Sequence, residues 1–144
     1  MKRLQKLVRP GAALAAVLLL GGCGHGASPG KPATPPTPGG TLYLTNCSAC
    51  HQLDGQGVAA MYPPLAATPV TLGDPAPLLA WVLFGERPAA LPKGQYAGLM
   101  PQFSYLSDAD VALILTHVRS SFGNHAAAIT PAMVATARAV RRGR

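Results

Sequence analysis

The sequence predicts an all-α fold, a small domain of three to four main helices with an extra helix at the C-terminus. Three observations predict it. Apolar residues recur at helical spacing behind N-cap signals at Asp74-Pro75, Ser107-Asp108 and Thr130-Pro131. No strand precedes the cysteine pair in the middle of the chain, and no βαβ pattern surrounds it. That pair lies in Cys47-Ser48-Ala49-Cys50-His51, where two thiols three apart share one face of a helical turn and an imidazole follows directly.

The motif implies a cofactor. C-x-x-C-H is the pattern of c-type haem attachment: both sulfurs add to the vinyl groups of one haem, and His51 coordinates its iron from the same side. The helices are thus expected to wrap around one covalently bound haem. With Cys47 and Cys50 so used and Cys23 standing apart, no cysteine is left for a structural disulfide.

A chain of 144 residues has room for one domain plus appendages. Its formal charge of +7 and pI near 9.9 suggest an anionic partner, but the charge sits at the ends. Lys2, Arg3, Lys6 and Arg9 open the chain, and Arg138, Arg141, Arg142 and Arg144 close it. Between Thr41 and His125 only Arg87, Lys93 and Arg119 are basic, against Asp54, Asp74, Glu86, Asp108 and Asp110. A nucleic-acid reader carries its positive charge on the folded face. Nucleic acid is therefore not an expected partner.

Residues 1–22 read as a signal peptide, with a basic start, then an apolar run from Gly11 to Leu20 and small residues before Cys23. The run is shorter than the roughly 20 apolar residues a membrane span needs. Leu20-Gly21-Gly22-Cys23 resembles the bacterial lipobox, which implies a diacylated Cys23 at the mature N-terminus. The domain is then expected to be exported to the periplasmic side and anchored to a membrane as a lipoprotein. An ordinary signal peptide with an incidental Cys23 is the alternative. Residues 23–39 are rich in Pro, Gly, Ala, Ser and Thr and read as a flexible linker, with His25 a lone solvated side chain.

The domain proper is expected at residues 40–124. A helix beginning at Thr41 delivers the cysteines and His51, with Leu42 and Tyr43 as packing residues. Asp54-Gly55-Gln56-Gly57 is a turn. Asp74 caps a nearly apolar helix that contains Leu78, Leu79, Trp81, Val82 and Phe84 and stops at Gly85, Trp81 reading as core. Ser107 and Asp110 form an N-terminal capping pair, with Leu106 stapled against Val111. Val111, Ile114, Leu115, Val118 and Phe122 then recur at helical spacing until Gly123-Asn124. His117 reads as a packed or half-exposed residue and Arg119 as a surface one. Residues 125–144 form a basic helix or tail, with Val134, Ala137 and Val140 on one side of it. It packs on the domain, rests on anionic lipid or docks a partner.

The stretch CSACHQLDGQGVAAMYPPLA, with LSDADVALILTHVRSSFGN further on, resembles class I cytochrome c domains, particularly the single-haem ones of bacterial dehydrogenases, oxidases and reductases. The second run matches that family's C-terminal helix, which crosses the first helix near the haem edge; His117 stands where a Tyr is common. The resemblance implies that Pro63, or less naturally Pro64, offers its carbonyl to the second imidazole nitrogen of His51, and that Leu65 packs on the haem plane. It also implies Met100 as the distal iron ligand, from Tyr96-Ala97-Gly98-Leu99-Met100-Pro101-Gln102-Phe103. Met61 and Met133 are its competitors.

A haem with both axial positions filled exchanges single electrons and offers no place to a substrate. No paired carboxylates, Ser/His/Asp set or phosphate loop is present. The expected protein is an electron carrier, not an enzyme, with redox proteins as partners: a dehydrogenase, a reductase or an oxidase. Two other classes compete. One is a thiol-disulfide oxidoreductase using Cys47 and Cys50; the other is a haem sensor or peroxidase with an open distal site. A zinc site would need more ligands than His117 and His125 provide.

Overall fold

The computed structural model describes residues 36–143. The signal peptide, Cys23 and most of the linker lie outside the described residues. Within them the chain forms six helices: α1 (Pro38–Asn46), α2 (Ser48–His51), α3 (Pro69–Leu72), α4 (Pro75–Phe84), α5 (Asp108–Ser120) and α6 (Pro131–Arg142). Among the described residues there is no strand, only an isolated antiparallel bridge between Val58 and Tyr62. The all-α expectation holds.

The first helix starts earlier than expected. Thr37 accepts a hydrogen bond from the Gly40 N–H, and Pro38 takes the first helical position. Both signals are hidden in the Pro- and Gly-rich composition of the linker. Gly39 and Gly40 are buried where α1 crosses α5. A Cβ on Gly39 would lie 2.3 Å from the Leu113 carbonyl oxygen, so only glycine permits this approach. One turn on, Tyr43 is buried between Ile114, Val118, His117 and Phe122.

The sequence reading did not anticipate α3. Thr68 caps it by accepting from the Thr71 N–H, and Pro69 begins it. As expected, Asp74 caps α4, and Gly85 ends it in the left-handed conformation with φ of 74°. Ser107 accepts from the Asp110 N–H to open α5 and returns a bond to the Asp110 carboxylate at 2.7 Å. The far end of α5 differs from expectation: the helix stops at Ser120, and Phe122 lies beyond it with φ of 59°. That uncommon backbone turns the Phe122 ring back onto Tyr43 and His117 and over Gly55.

Of the three placements open to the C-terminal segment, the structure has it packed on the domain. Val134 is fully buried, and Met133 and Ala137 pack with it against the core of α4 and α5. Arg119 is not a surface residue. It is 3% exposed, and its guanidinium donates to the carbonyls of Thr71 (2.6 Å), Gly73 (3.0 Å) and Ala127 (2.8 Å). It thus joins α5 to the end of α3 and to the strand of chain that leads into α6.

The candidate haem site

The cysteine segment is almost continuous with α1. The Cys47 N–H donates to the Tyr43 carbonyl at 2.8 Å, and the His51 N–H to that of Cys47 at 2.9 Å. Cys47 itself leaves helical geometry, at φ −123° and ψ −33°, and separates α1 from the single turn of α2. Gln52 then takes φ of 64°, and its carbonyl accepts from the Tyr43 hydroxyl at 2.5 Å. The same side chain that anchors α1 to α5 therefore ties down the residue after His51.

His51 is buried, and its Nδ1 lies 3.0 Å from the Pro63 carbonyl oxygen. A carbonyl only accepts, so Nδ1 carries the proton and Nε2 keeps its lone pair. Burial lowers the imidazole pKa, against the opposing effect of the Pro63 bond. Both features suit a neutral nitrogen ligand whose ring orientation is fixed from behind. Of the two prolines considered, Pro63 is the one that makes this contact. The loop is held by Gly57 N–H to the His51 carbonyl (3.0 Å) and Leu65 N–H to that of Gly55 (2.7 Å).

A mostly apolar cavity of about 340 Å³ opens between α4, α5 and these loops. Cys47, His51, Pro63, Leu65 and Met100 all line it. A smaller lobe of about 50 Å³ shares several of these walls and brings in Cys50. Five of the six domain residues expected at the site therefore line one cavity, and Cys50 lines the smaller lobe beside it. Met61 is well exposed and lines neither lobe. Met133 lines a separate groove between α4 and α6, where its sulfur accepts from the Thr130 N–H. Trp81, read as core, is half-buried and stands in the cavity wall.

Met100 is held from both sides along the chain. The Gly98 N–H donates to the Met61 carbonyl and the Phe103 N–H to that of Val82, each at 2.9 Å. Asn124 is 1% exposed and fixes the Leu65 loop to the end of α5. Its Oδ1 accepts from the Ala67 N–H (2.8 Å), and its Nδ2 donates to the carbonyls of Leu65 (3.0 Å) and Val118 (2.8 Å). In the sequence Asn124 signals only the end of a helix.

Burial, with Cys50 alongside, pushes the Cys47 thiol up to about 11, the opposite of the depressed pKa that activates a C-x-x-C nucleophile. The donor set fits covalent haem: two thiols on one turn, an imidazole with a free Nε2 beside them, and an apolar space lined by a thioether.

Fold and site together define a small all-α domain built to hold one covalent haem. A family model described as Cytochrome c matches residues 36–122. The chain belongs to the cytochrome c family, whose cofactor is covalently bound haem c and whose role is to carry electrons. It is 40% identical over 90 residues to the cytochrome c subunit of a quinone alcohol dehydrogenase from Gluconobacter oxydans, covering 61% of this chain and 19% of that protein. It is 32% identical over 90 residues to cytochrome c-552 of Thermus thermophilus, covering 59% of this chain and 69% of that one. A gluconate 2-dehydrogenase cytochrome c subunit from Pantoea cypripedii is 36% identical over 97 residues, 65% of this chain and 22% of that protein. The chain thus spans about a fifth of the dehydrogenase subunits it matches.

Proposed function

We propose that this domain is a membrane-tethered periplasmic cytochrome whose iron is held by His51 and Met100, carrying single electrons between a redox enzyme and another carrier or a terminal oxidase. The observation that carries this reading is that His51, with Nε2 free, and Met100 line the same apolar cavity while Met61 and Met133 do not. The haem, when bound, supplies one-electron exchange at its iron. Cys47 and Cys50 fix it through thioethers, the Pro63 carbonyl orients His51, and Leu65 and its apolar neighbours keep water out. A Met100 thioether favours the reduced state and raises the potential. Acylation of Cys23 supplies the tether. The dehydrogenase cytochrome subunits among the relatives support a dehydrogenase as the electron donor.

The visible spectrum of the purified holo-protein tests the site. Sharp α and β bands are expected on reduction, and on oxidation the weak charge-transfer band of a sulfur ligand near the red end. Met100→Ala is expected to lose that band and to bind carbon monoxide when ferrous. A variant with wild-type spectrum and potential removes Met100 from the iron, and ready carbon monoxide binding by the wild type favours an open distal site. Mass spectrometry of the mature N-terminus tests Cys23: an unmodified thiol there ends the lipoprotein reading.

A further inference from the structure

The family match ends at residue 122, and α6 begins at Pro131. One side chain of this added helix reaches back to residues 104–108, which follow Met100 along the chain. Arg138 donates from Nη1 to the Ser104 carbonyl (2.7 Å), from Nη2 to the Leu106 carbonyl (2.6 Å) and from Nε to the Asp108 carboxylate (2.8 Å). All three guanidinium nitrogens are spent on five consecutive residues. Between Phe103 and the Ser107 cap, the only backbone bond that the segment itself donates is a turn from the Leu106 N–H to the Phe103 carbonyl. Leu106 also lines the haem cavity.

The fork is fixed from its own side as well. Val134 is buried one turn before it, and Arg141, one turn after it, pairs with Glu86 and lies over the Phe84 ring. A planar guanidinium fastened at both ends is a rigid strut, which a flexible ammonium does not reproduce.

We propose that Arg138 is a positioning residue for the distal side of the haem. It holds Ser104–Asp108 against α6 and so limits how often Met100 leaves the iron and lets an outside ligand in. This rests on the reading of Met100 as the distal ligand.

The test is titration of the ferric, full-length holo-protein with imidazole, which replaces the methionine sulfur on the iron without change of oxidation state. The apparent affinity of such a ligand scales with the fraction of molecules in the open form. Arg138→Gln is expected to bind imidazole about tenfold more tightly than wild type, as a modest opening of the segment would require. Asp108→Asn leaves both carbonyl bonds in place and is expected to rise less, providing a milder variant should Arg138→Gln fold poorly. Arg141→Gln removes one anchor of α6 but leaves the three bonds of the fork in place, and is expected to rise less than Arg138→Gln. Equal affinity in Arg138→Gln and wild type overturns the proposal, as does an equal rise in Arg141→Gln, which would mark general loosening of α6. If wild type lacks the sulfur charge-transfer band before imidazole is added, Met100 is not the ligand. The inference then falls with that reading, and the band tells this failure from the others.

Discussion

The Asn124 amide donates to the Leu65 carbonyl across 3.0 Å, joining the turn that follows α5 to the loop that forms one wall of the cavity. The same side chain takes the Ala67 N–H and gives to the Val118 carbonyl, so one buried amide satisfies three backbone groups from two parts of the chain.

Asn124→Leu keeps the approximate volume and removes all three bonds. Each buried backbone group left unpaired costs roughly 1 to 3 kcal/mol, and some relaxation toward water lowers the sum. The holo-protein is expected to lose about 3 kcal/mol in urea unfolding. A loss within the range of surface substitutions, about 0.5 kcal/mol, would show that the clamp is dispensable.

Gly39→Ala reverses the usual sign of such a change. In an unconstrained helix interior alanine is favoured over glycine by about 1 kcal/mol. Here the new methyl meets the Leu113 carbonyl oxygen at 2.3 Å, and that oxygen belongs to the backbone of α5. Overpacking of this kind costs roughly 1 to 3 kcal/mol and outweighs the helix propensity. The variant is expected to melt below wild type, and a higher melting temperature would mean that the helices separate without penalty.

The elements legible in the sequence are those whose chemistry is local. The Cys47-to-His51 pattern, the caps at Asp74 and Ser107, and a methionine ahead of a proline and an aromatic all announce themselves within a few residues. Arg119 does not. Its partners are carbonyls of Thr71, Gly73 and Ala127, and a sequence records side chains, not which carbonyls a distant turn leaves without a donor. Asn124 is opaque for the same reason, because Leu65 and Ala67 lie nearly sixty positions away. The start of α1 is a different failure. Thr37-Pro38 is a sound helix opening, but it follows a run of prolines and glycines whose composition argues for linker.

His117 carries a pH dependence. Its ring packs on Tyr43 and Phe122, and burial lowers its pKa from the ordinary value. The folded state therefore holds fewer protons than the unfolded one as pH falls through the ordinary histidine range, about 6.5. Stability from this group is fully present above that range and is lost as pH falls through the lowered folded value. Urea unfolding of the holo-protein at about pH 8 and about pH 5 is expected to show a smaller drop for His117→Tyr than for wild type. Equal drops would assign the dependence to other groups.

Arg119→Lys tests whether the buried cation matters for its charge or for its shape. A buried charge with no carboxylate beside it needs its protons satisfied. Arg119 places Nε on the Ala127 carbonyl and Nη1 on those of Thr71 and Gly73, so it reaches two separate segments of chain. Lysine keeps the charge but carries its donors on one atom, which can stand in for Nη1 or for Nε but not for both. If charge alone mattered, the replacement would be nearly neutral. Because the carbonyls of Thr71 and Gly73 lie at the C-terminal end of α3, their loss also loosens the segment between Thr68 and Asp74, part of which lines the cavity. Arg119→Lys is expected to cost about 2 to 4 kcal/mol, the range for a buried charged group deprived of partners. Arg119→Met, which removes the charge and still fills the space, is expected to cost no more than Lys, since an unpaired buried cation is worse than none. Urea unfolding of the two holo-variants side by side decides it, and a lysine variant as stable as wild type would leave the fork without a role.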